Sequence, residues 1–188
     1  MRHRVFVAVN LDERTLDSIE NLVLAIKRRM PGVRFVPREN WHITLSFLGY
    51  QEDDDILKIT RSLRRAVDNF EDQDIKLDEI SYGPPGKTPR MIWIGTDRAT
   101  SENLSRIKKA LEEEMLDSGV NFKGEGRNFN GHITLARFML GREEREGLPP
   151  LNEKTQLSFT AEGIDLMESE LKRDGAEYTV LQKFPFRN

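Results

Sequence analysis

Four residues occur twice in this chain, as His42-Ile43-Thr44-Leu45 and again as His132-Ile133-Thr134-Leu135. Each copy lies in a short apolar run, Trp-His-Ile-Thr-Leu-Ser-Phe-Leu at 41–48 and His-Ile-Thr-Leu-Ala-Arg-Phe at 132–138, bounded by Gly49, Gly131 and Gly141. Runs of this length, rich in β-branched and aromatic residues between glycines, read as strands. Side chains alternate along a strand, so His42 and Thr44 share one face while Ile43, Leu45 and Phe47 share the other. The second copy divides in the same way. Each strand thus offers one face to a core and presents an imidazole and a hydroxyl on the other.

The surroundings of the two copies repeat as well. Residues 4–10 alternate as a strand, and 12–30 carry Leu16, Ile19, Leu22, Val23 and Ile26 at helical spacing before Pro31-Gly32 stops the run. The stretch 33–37 is a short strand or an extended lead-in to the first copy. A second helix is expected over about 53–69, opened by an acidic turn, then a strand over 75–82 and a loop over 83–89. Arg90-Met-Ile-Trp-Ile-Gly-Thr then resembles the first strand, and 100–118 form an amphipathic helix with Thr100 or Ser101 as its N-cap. After the second copy, 141–147 read as one helical turn. The stretches 157–166 and 177–186 read as closing strands joined by a hairpin around 169–175.

The order strand, helix, His-strand therefore occurs twice. The expected fold is α+β and bilobal, with two mostly antiparallel sheets, outer helices and a pseudo-twofold axis. The lobes follow the approximate halves 1–89 and 90–188 of one domain, with terminal strands free to cross between them. Such an axis would bring His42 and His132 into one cleft.

Composition narrows the chemistry. The chain has no cysteine, which removes disulfides, thiolate nucleophiles and cysteine-bound metals, and fits a cytoplasmic protein. Charged residues make up 32% of the 188, and no apolar run reaches the ~18 residues of a membrane span, so a soluble monomer without membrane contact is expected. The net charge of −3 does not advertise nucleic-acid binding, although 29 Lys and Arg leave room for a local basic cleft. A structural zinc ion takes four ligands, and a catalytic one about three. Only two histidines are well placed here, with no Asp or Glu beside either motif, so neither metal nor cofactor is expected. By alternation Ser46 shares a face with His42, but no nucleophile-elbow sequence surrounds it.

Two histidines without a metal suit acid–base work. A neutral imidazole can take a proton from water, and an imidazolium can give one to a leaving oxygen, both accessible around the ordinary pKa of about 6.5. Thr44 and Thr134 can donate hydrogen bonds to oxygens on which charge develops. The reaction class suggested is phosphodiester cleavage, most easily of a strained cyclic phosphate.

These residues resemble the two-histidine phosphoesterase superfamily. Within it the chain is similar to the RNA 2′,3′-cyclic phosphodiesterases, also called 2′-5′ RNA ligases. Arg4-Val-Phe-Val-Ala-Val resembles the first strand of that family, and Asn40-Trp-His-Ile-Thr-Leu-Ser-Phe-Leu-Gly its first motif. Pro89-Arg-Met-Ile-Trp-Ile-Gly resembles the strand opening its second half, and Gly131-His-Ile-Thr-Leu-Ala-Arg its second motif. Ser169-Glu-Leu and Gly175-Ala-Glu-Tyr-Thr-Val-Leu resemble its closing hairpin. The resemblance implies a basic cleft and metal-free hydrolysis of an RNA 2′,3′-cyclic phosphate, or a cyclic nucleotide, to a 2′-phosphate. It also implies a reverse reaction joining RNA ends through a 2′-5′ linkage.

The resemblance further implies that His132 activates water, that His42 is the acid, and that Arg137 holds the phosphate with Thr44 and Thr134. Strict alternation puts Arg137 on the face opposite His132, so a bend or bulge is required. Gly131 stands where the family usually has proline and should loosen the start of the strand. Trp41, Phe47 and Phe138 are near enough for a base to stack, but parity sends Phe47 to the core. Two other classes share these features. One is a non-catalytic RNA-binding module. The other is a related phosphoesterase acting on small cyclic nucleotides or 2′-5′ oligoadenylates.

Overall fold

The computed structural model describes residues 1–124, 128–138, 148–173 and 175–187. The turn expected at 141–147 lies outside them. The chain runs β1 (Arg2–Asn10), α1 (Glu13–Arg29), a short 3-10 turn (Arg38–Asn40), β2 (His42–Glu52), α2 (Asp53–Val67), β3 (Gln73–Gly83), β4 (Met91–Thr96), α3 (Arg98–Asp117), β5 (His132–Arg137), β6 (Asn152–Ala161), β7 (Gly163–Lys172) and β8 (Gly175–Pro185).

Local chemistry fixes the helix ends. Asp12 caps α1 by accepting from the Thr15 amide at 2.6 Å, and Lys27, Arg28 and Arg29 occupy its negative end. Asp53, Asp54 and Asp55 open α2, with Arg64 and Arg65 in its last turn. The cap of α3 is Asp97, which accepts from the Thr100 amide at 2.8 Å, so the helix starts at Arg98 rather than at the expected Thr100 or Ser101. The strand expected at 157–166 is in fact parts of two, interrupted at Glu162, with β6 paired to β3 and β7 to β1 and β8. Gly163 allows the close approach of β8, because a Cβ there would run into the Phe184 carbonyl.

The strands form one sheet in the order β6-β3-β4-β5-β2-β1-β7-β8, with every ladder antiparallel. The two expected sheets are therefore one, joined at a short seam. There β5 meets β2 through the single registered pair Ile43–Ile133. Beyond it the lead-in segment takes over the edge of β5: the Val36 amide donates to the Leu135 carbonyl at 2.7 Å, and Phe35 bridges Ala136. Trp41 secures that segment by donating from its indole to the Val36 carbonyl at 3.1 Å.

Among the described residues, helices α1, α2 and α3 pack on one face. Ile19, Val23 and Ile26 of α1, Ile59 and Leu63 of α2, and Leu104, Ile107 and Leu111 of α3 share a core with Val5, Val7, Val9, Ile43, Leu45, Ile133 and Leu135. That burial drives the assembly and leaves the other face of the central strands uncovered by helix. No helix among the described residues is long and apolar enough to cross a membrane.

Candidate active site

The register at the seam determines where the repeated motifs meet. Ile43 and Ile133 are partners across an antiparallel ladder, so one step along each strand sets His42 toward Thr134 and Thr44 toward His132. Both isoleucines are fully buried in the helix-side core. Their neighbours consequently share the opposite face, and the four polar side chains form one patch.

The two imidazoles are held alike. His42 Nδ1 donates to the Asn40 carbonyl at 2.9 Å, and His132 Nδ1 donates to the Asn130 carbonyl at 2.8 Å. A carbonyl can only accept, so each ring carries its proton on Nδ1 and keeps the Nε2 lone pair for chemistry when neutral. His42 Nε2 accepts from Thr44 Oγ1 at 2.9 Å. The residue two before each histidine is asparagine, so the repeat is longer than four residues. That identity was the available signal for this orienting contact. Asn40 is itself fixed, since its side chain donates to the Ala176 carbonyl at 2.8 Å. Arg38 anchors the same turn to α1 through Glu13, Asp17 and Glu20.

The fourth residue of each repeat is a bulge. In β2, Thr44 pairs with Ala8 and Ser46 with Val7, which leaves Leu45 extra. In β5, Thr134 pairs with Trp93 and Ala136 with Ile92, which leaves Leu135 extra. An extra residue reverses the alternation beyond it. Ser46 therefore leaves the face of His42 and is buried on the helix side, where it donates to Glu112 Oε1 at 2.6 Å. Lys108, itself buried, pairs with the same carboxylate. Phe47, expected in the core, is 45% exposed on the face of the histidines. Arg137 is brought to that face by the same device, where it donates to the Met91 sulfur at 3.4 Å. Trp41 is buried, and Phe138 packs against Tyr82 with ring centroids 6.4 Å apart.

Gly131 does not loosen the start of β5. Its amide donates to Ser101 Oγ at 3.1 Å, and its carbonyl accepts from the Thr96 amide at 2.8 Å. A Cβ would lie 2.6 Å from Thr96 Oγ1. Proline would lose the donated bond and crowd Thr96.

His42 is packed by Phe6 and Tyr178, with ring centroids 4.9 and 5.2 Å away, and His132 by Trp93 at 4.1 Å. Burial pushes the His42 pKa down to about 4, and the charges of Arg137 and His132 act in the same direction. The free protein thus holds His42 neutral near pH 7. The unfolded chain takes up a proton here near pH 6.5, which the folded chain refuses until about pH 4. Stability from this residue is complete above about pH 6.5 and is lost as the pH falls toward 4, a change on the order of 3 kcal/mol. Urea unfolding at pH 7 and pH 4.5 should show a smaller loss for His42→Asn than for the parent. Equal losses would contradict the burial argument. The variant isolates this contribution from that of His3, whose pKa is raised by Glu168 and Asp53.

A concavity of about 440 Å³ is lined by α3 residues with Asn128 and Phe129, not by the histidines. We take the histidine face as the site, because chemistry and not cavity size converges there. Among the described residues no group of three or more His, Cys, Asp or Glu side chains is placed to hold a metal ion.

The sequence matches the 2′-5′ RNA ligase superfamily over residues 15–173. The chain belongs to that superfamily. It is 32% identical to an RNA 2′,3′-cyclic phosphodiesterase of Thermus thermophilus, covering 98% of this chain and 90% of the relative. It is 28% identical to one of Methanothermobacter thermautotrophicus, covering 98% and 99%. A solved Thermus thermophilus protein superposes with a TM-score of 0.82 at 28% identity, covering 98% of each chain. LigT of E. coli in complex with 3′-AMP shares the fold, with a TM-score of 0.75 at 19% identity over 100% of each chain.

Proposed function

We propose that this superfamily member is an RNA 2′,3′-cyclic phosphodiesterase that opens the cyclic phosphate to a 2′-phosphate with its own side chains. The observation that carries the reading is the pair of Nδ1-anchored imidazoles on one sheet face, each with a threonine beside it and with Arg137 turned toward them. Relatives bearing that activity in their names span nearly the whole chain.

In the proposed reaction, His132 Nε2 takes a proton from water as the water oxygen bonds to phosphorus. The bond from phosphorus to the 3′ oxygen breaks in line. His42 gives its Nε2 proton to that oxygen, leaving a 3′ hydroxyl and a 2′-phosphate. Thr44, Thr134 and Arg137 donate to the non-bridging oxygens as their charge grows. His42 is neutral in the free protein, so the anionic substrate must restore its proton. The polarity of the two histidines follows the family resemblance; it is unchanged when a 5′ hydroxyl replaces water and forms a 2′-5′ linkage, and it reverses when such a linkage is cleaved back to the cyclic phosphate.

The direct test is incubation of a 2′,3′-cyclic nucleotide with the protein in excess EDTA, followed by separation of the 2′- and 3′-phosphates. The expected result is undiminished formation of the 2′-phosphate alone. A strict requirement for a divalent cation, or release of the 3′-phosphate, would overturn the scheme.

A further inference from the structure

Both imidazoles donate to the carbonyl two residues back, but the two carbonyls are secured by different means. Asn40 belongs to a 3-10 turn, and Trp41, between it and His42, is buried and pinned by its indole to the Val36 carbonyl. Asn130 lies in irregular chain just before β5, and Gly131, between it and His132, has no side chain to pack. Glycine has the widest choice of backbone conformations of any residue. The restraint on the Asn130 carbonyl therefore comes from neighbouring elements.

Those elements are the end of β4 and the first turn of α3. The Gly131 carbonyl accepts from the Thr96 amide at 2.8 Å and from Thr96 Oγ1 at 3.2 Å, while the Gly131 amide donates to Ser101 Oγ at 3.1 Å. Thr96 Oγ1 and Ser101 Oγ lie 2.7 Å apart. A hydroxyl has one proton to give. That of Thr96 goes to the Gly131 carbonyl, so Ser101 donates the bond between the two hydroxyls. The bonds close a ring, from the Gly131 amide to Ser101, from Ser101 to Thr96 and from Thr96 to the Gly131 carbonyl, and bonds so linked strengthen one another. Ser101 is fixed in turn, because its amide donates to the Asp97 carbonyl at 3.0 Å and the adjacent Thr100 Oγ1 accepts from the Lys76 amide of β3 at 3.2 Å. The Gly131 amide belongs to the same planar unit as the Asn130 carbonyl. Ser101 thus holds one edge of the peptide whose other edge accepts from His132 Nδ1.

We propose that Ser101, supported by Thr96, is a positioning residue for His132. It sets the plane of the Asn130–Gly131 peptide, and through that plane the tautomer and direction of the imidazole. The proposal rests on the reaction proposed above, in which His132 Nε2 takes the proton of water. Without the Ser101 hydroxyl, the glycine lets the peptide plane turn and the carbonyl leaves Nδ1. His42 is oriented by the 3-10 turn and is independent of this clamp.

Ser101→Ala should lower kcat for a 2′,3′-cyclic nucleotide by up to about 100-fold, the scale on which a misplacement of about 1 Å acts, with KM changed little. Ser101→Thr keeps the hydroxyl and should retain most of the rate. Thr96→Val keeps the β4 amide bond and removes only the support of Ser101. Its loss should be smaller and should not add to that of Ser101→Ala. Nitrogen NMR spectra of the imidazoles read the same variants without turnover. In Ser101→Ala, and to a lesser degree in Thr96→Val, His132 should shift from protonation at Nδ1 toward protonation at Nε2, while His42 stays as in the parent. A parent-like His132 tautomer in both variants, equal changes at the two histidines, or a Ser101→Thr protein as slow as Ser101→Ala would overturn the positioning role. A parent without turnover whose His132 still responds to Ser101→Ala would support the clamp while rejecting the hydrolytic reading.

Discussion

His42→Ala and His132→Ala should each lower the hydrolysis of a 2′,3′-cyclic nucleotide by about 10²- to 10⁴-fold, the usual contribution of a positioned proton-transfer group. The two losses should not add in the double variant. Once one proton transfer is removed, the other group has little left to assist. The prediction follows from the matched anchoring of the rings, His42 Nδ1 to the Asn40 carbonyl and His132 Nδ1 to the Asn130 carbonyl, which assigns proton transfer in the proposed reaction to Nε2. The fall should appear in kcat, with substrate affinity changed much less. A His42→Ala protein that still opened the cyclic phosphate at the parent rate would remove the enzymatic reading and leave an RNA-binding module in its place. Both variants should unfold cooperatively, because neither side chain belongs to the helix-side core.

Arg137→Gln should have the second-largest effect, about 10²- to 10³-fold in kcat/KM, as expected for losing a donor aimed at developing negative charge. A second readout separates this from misfolding. The Arg137 charge helps hold the His42 pKa down to about 4, so removing it should let that pKa rise. The His42 imidazole resonance followed by NMR should therefore titrate at higher pH in Arg137→Gln than in the parent. Arg137→Lys keeps the charge and loses the two-pronged geometry, so it should restore the titration but only part of the rate. An Arg137→Gln variant with the parent's rate would exclude the side chain from the site, whatever its position on the sheet.

Much of this site is legible in the residues. The duplicated tetrapeptide announces two strands with one polar face each, and both strands are present with Ile43 and Ile133 inward. The helices also follow from spacing and caps, with α3 misplaced by two residues because Asp97, not Thr100, accepts the first amide. The break at Glu162 is not legible, because one residue separates β6, which pairs with β3, from β7, which pairs with β1 and β8, and the change of partners leaves no mark in a continuous strand-like run. One sheet was expected as two because the seam consists of one registered pair, Ile43–Ile133, and nothing in either strand's own sequence names its neighbour.

The sequence by itself determined the paired histidines, the hydroxyls beside them and the duplicated order of elements. These depend on residue identity and on alternation within a strand, which are local properties. The tertiary structure decided which side chains join them. Leu45 and Leu135 look like ordinary inward residues, and each becomes a bulge only because β1 and β4 supply one residue fewer at that point. That count belongs to the pairing of strands far apart in the chain. It takes Ser46 away to Glu112, brings Arg137 to the histidines and leaves Phe47 exposed beside them, because a one-residue slip in a two-residue repeat exchanges the faces.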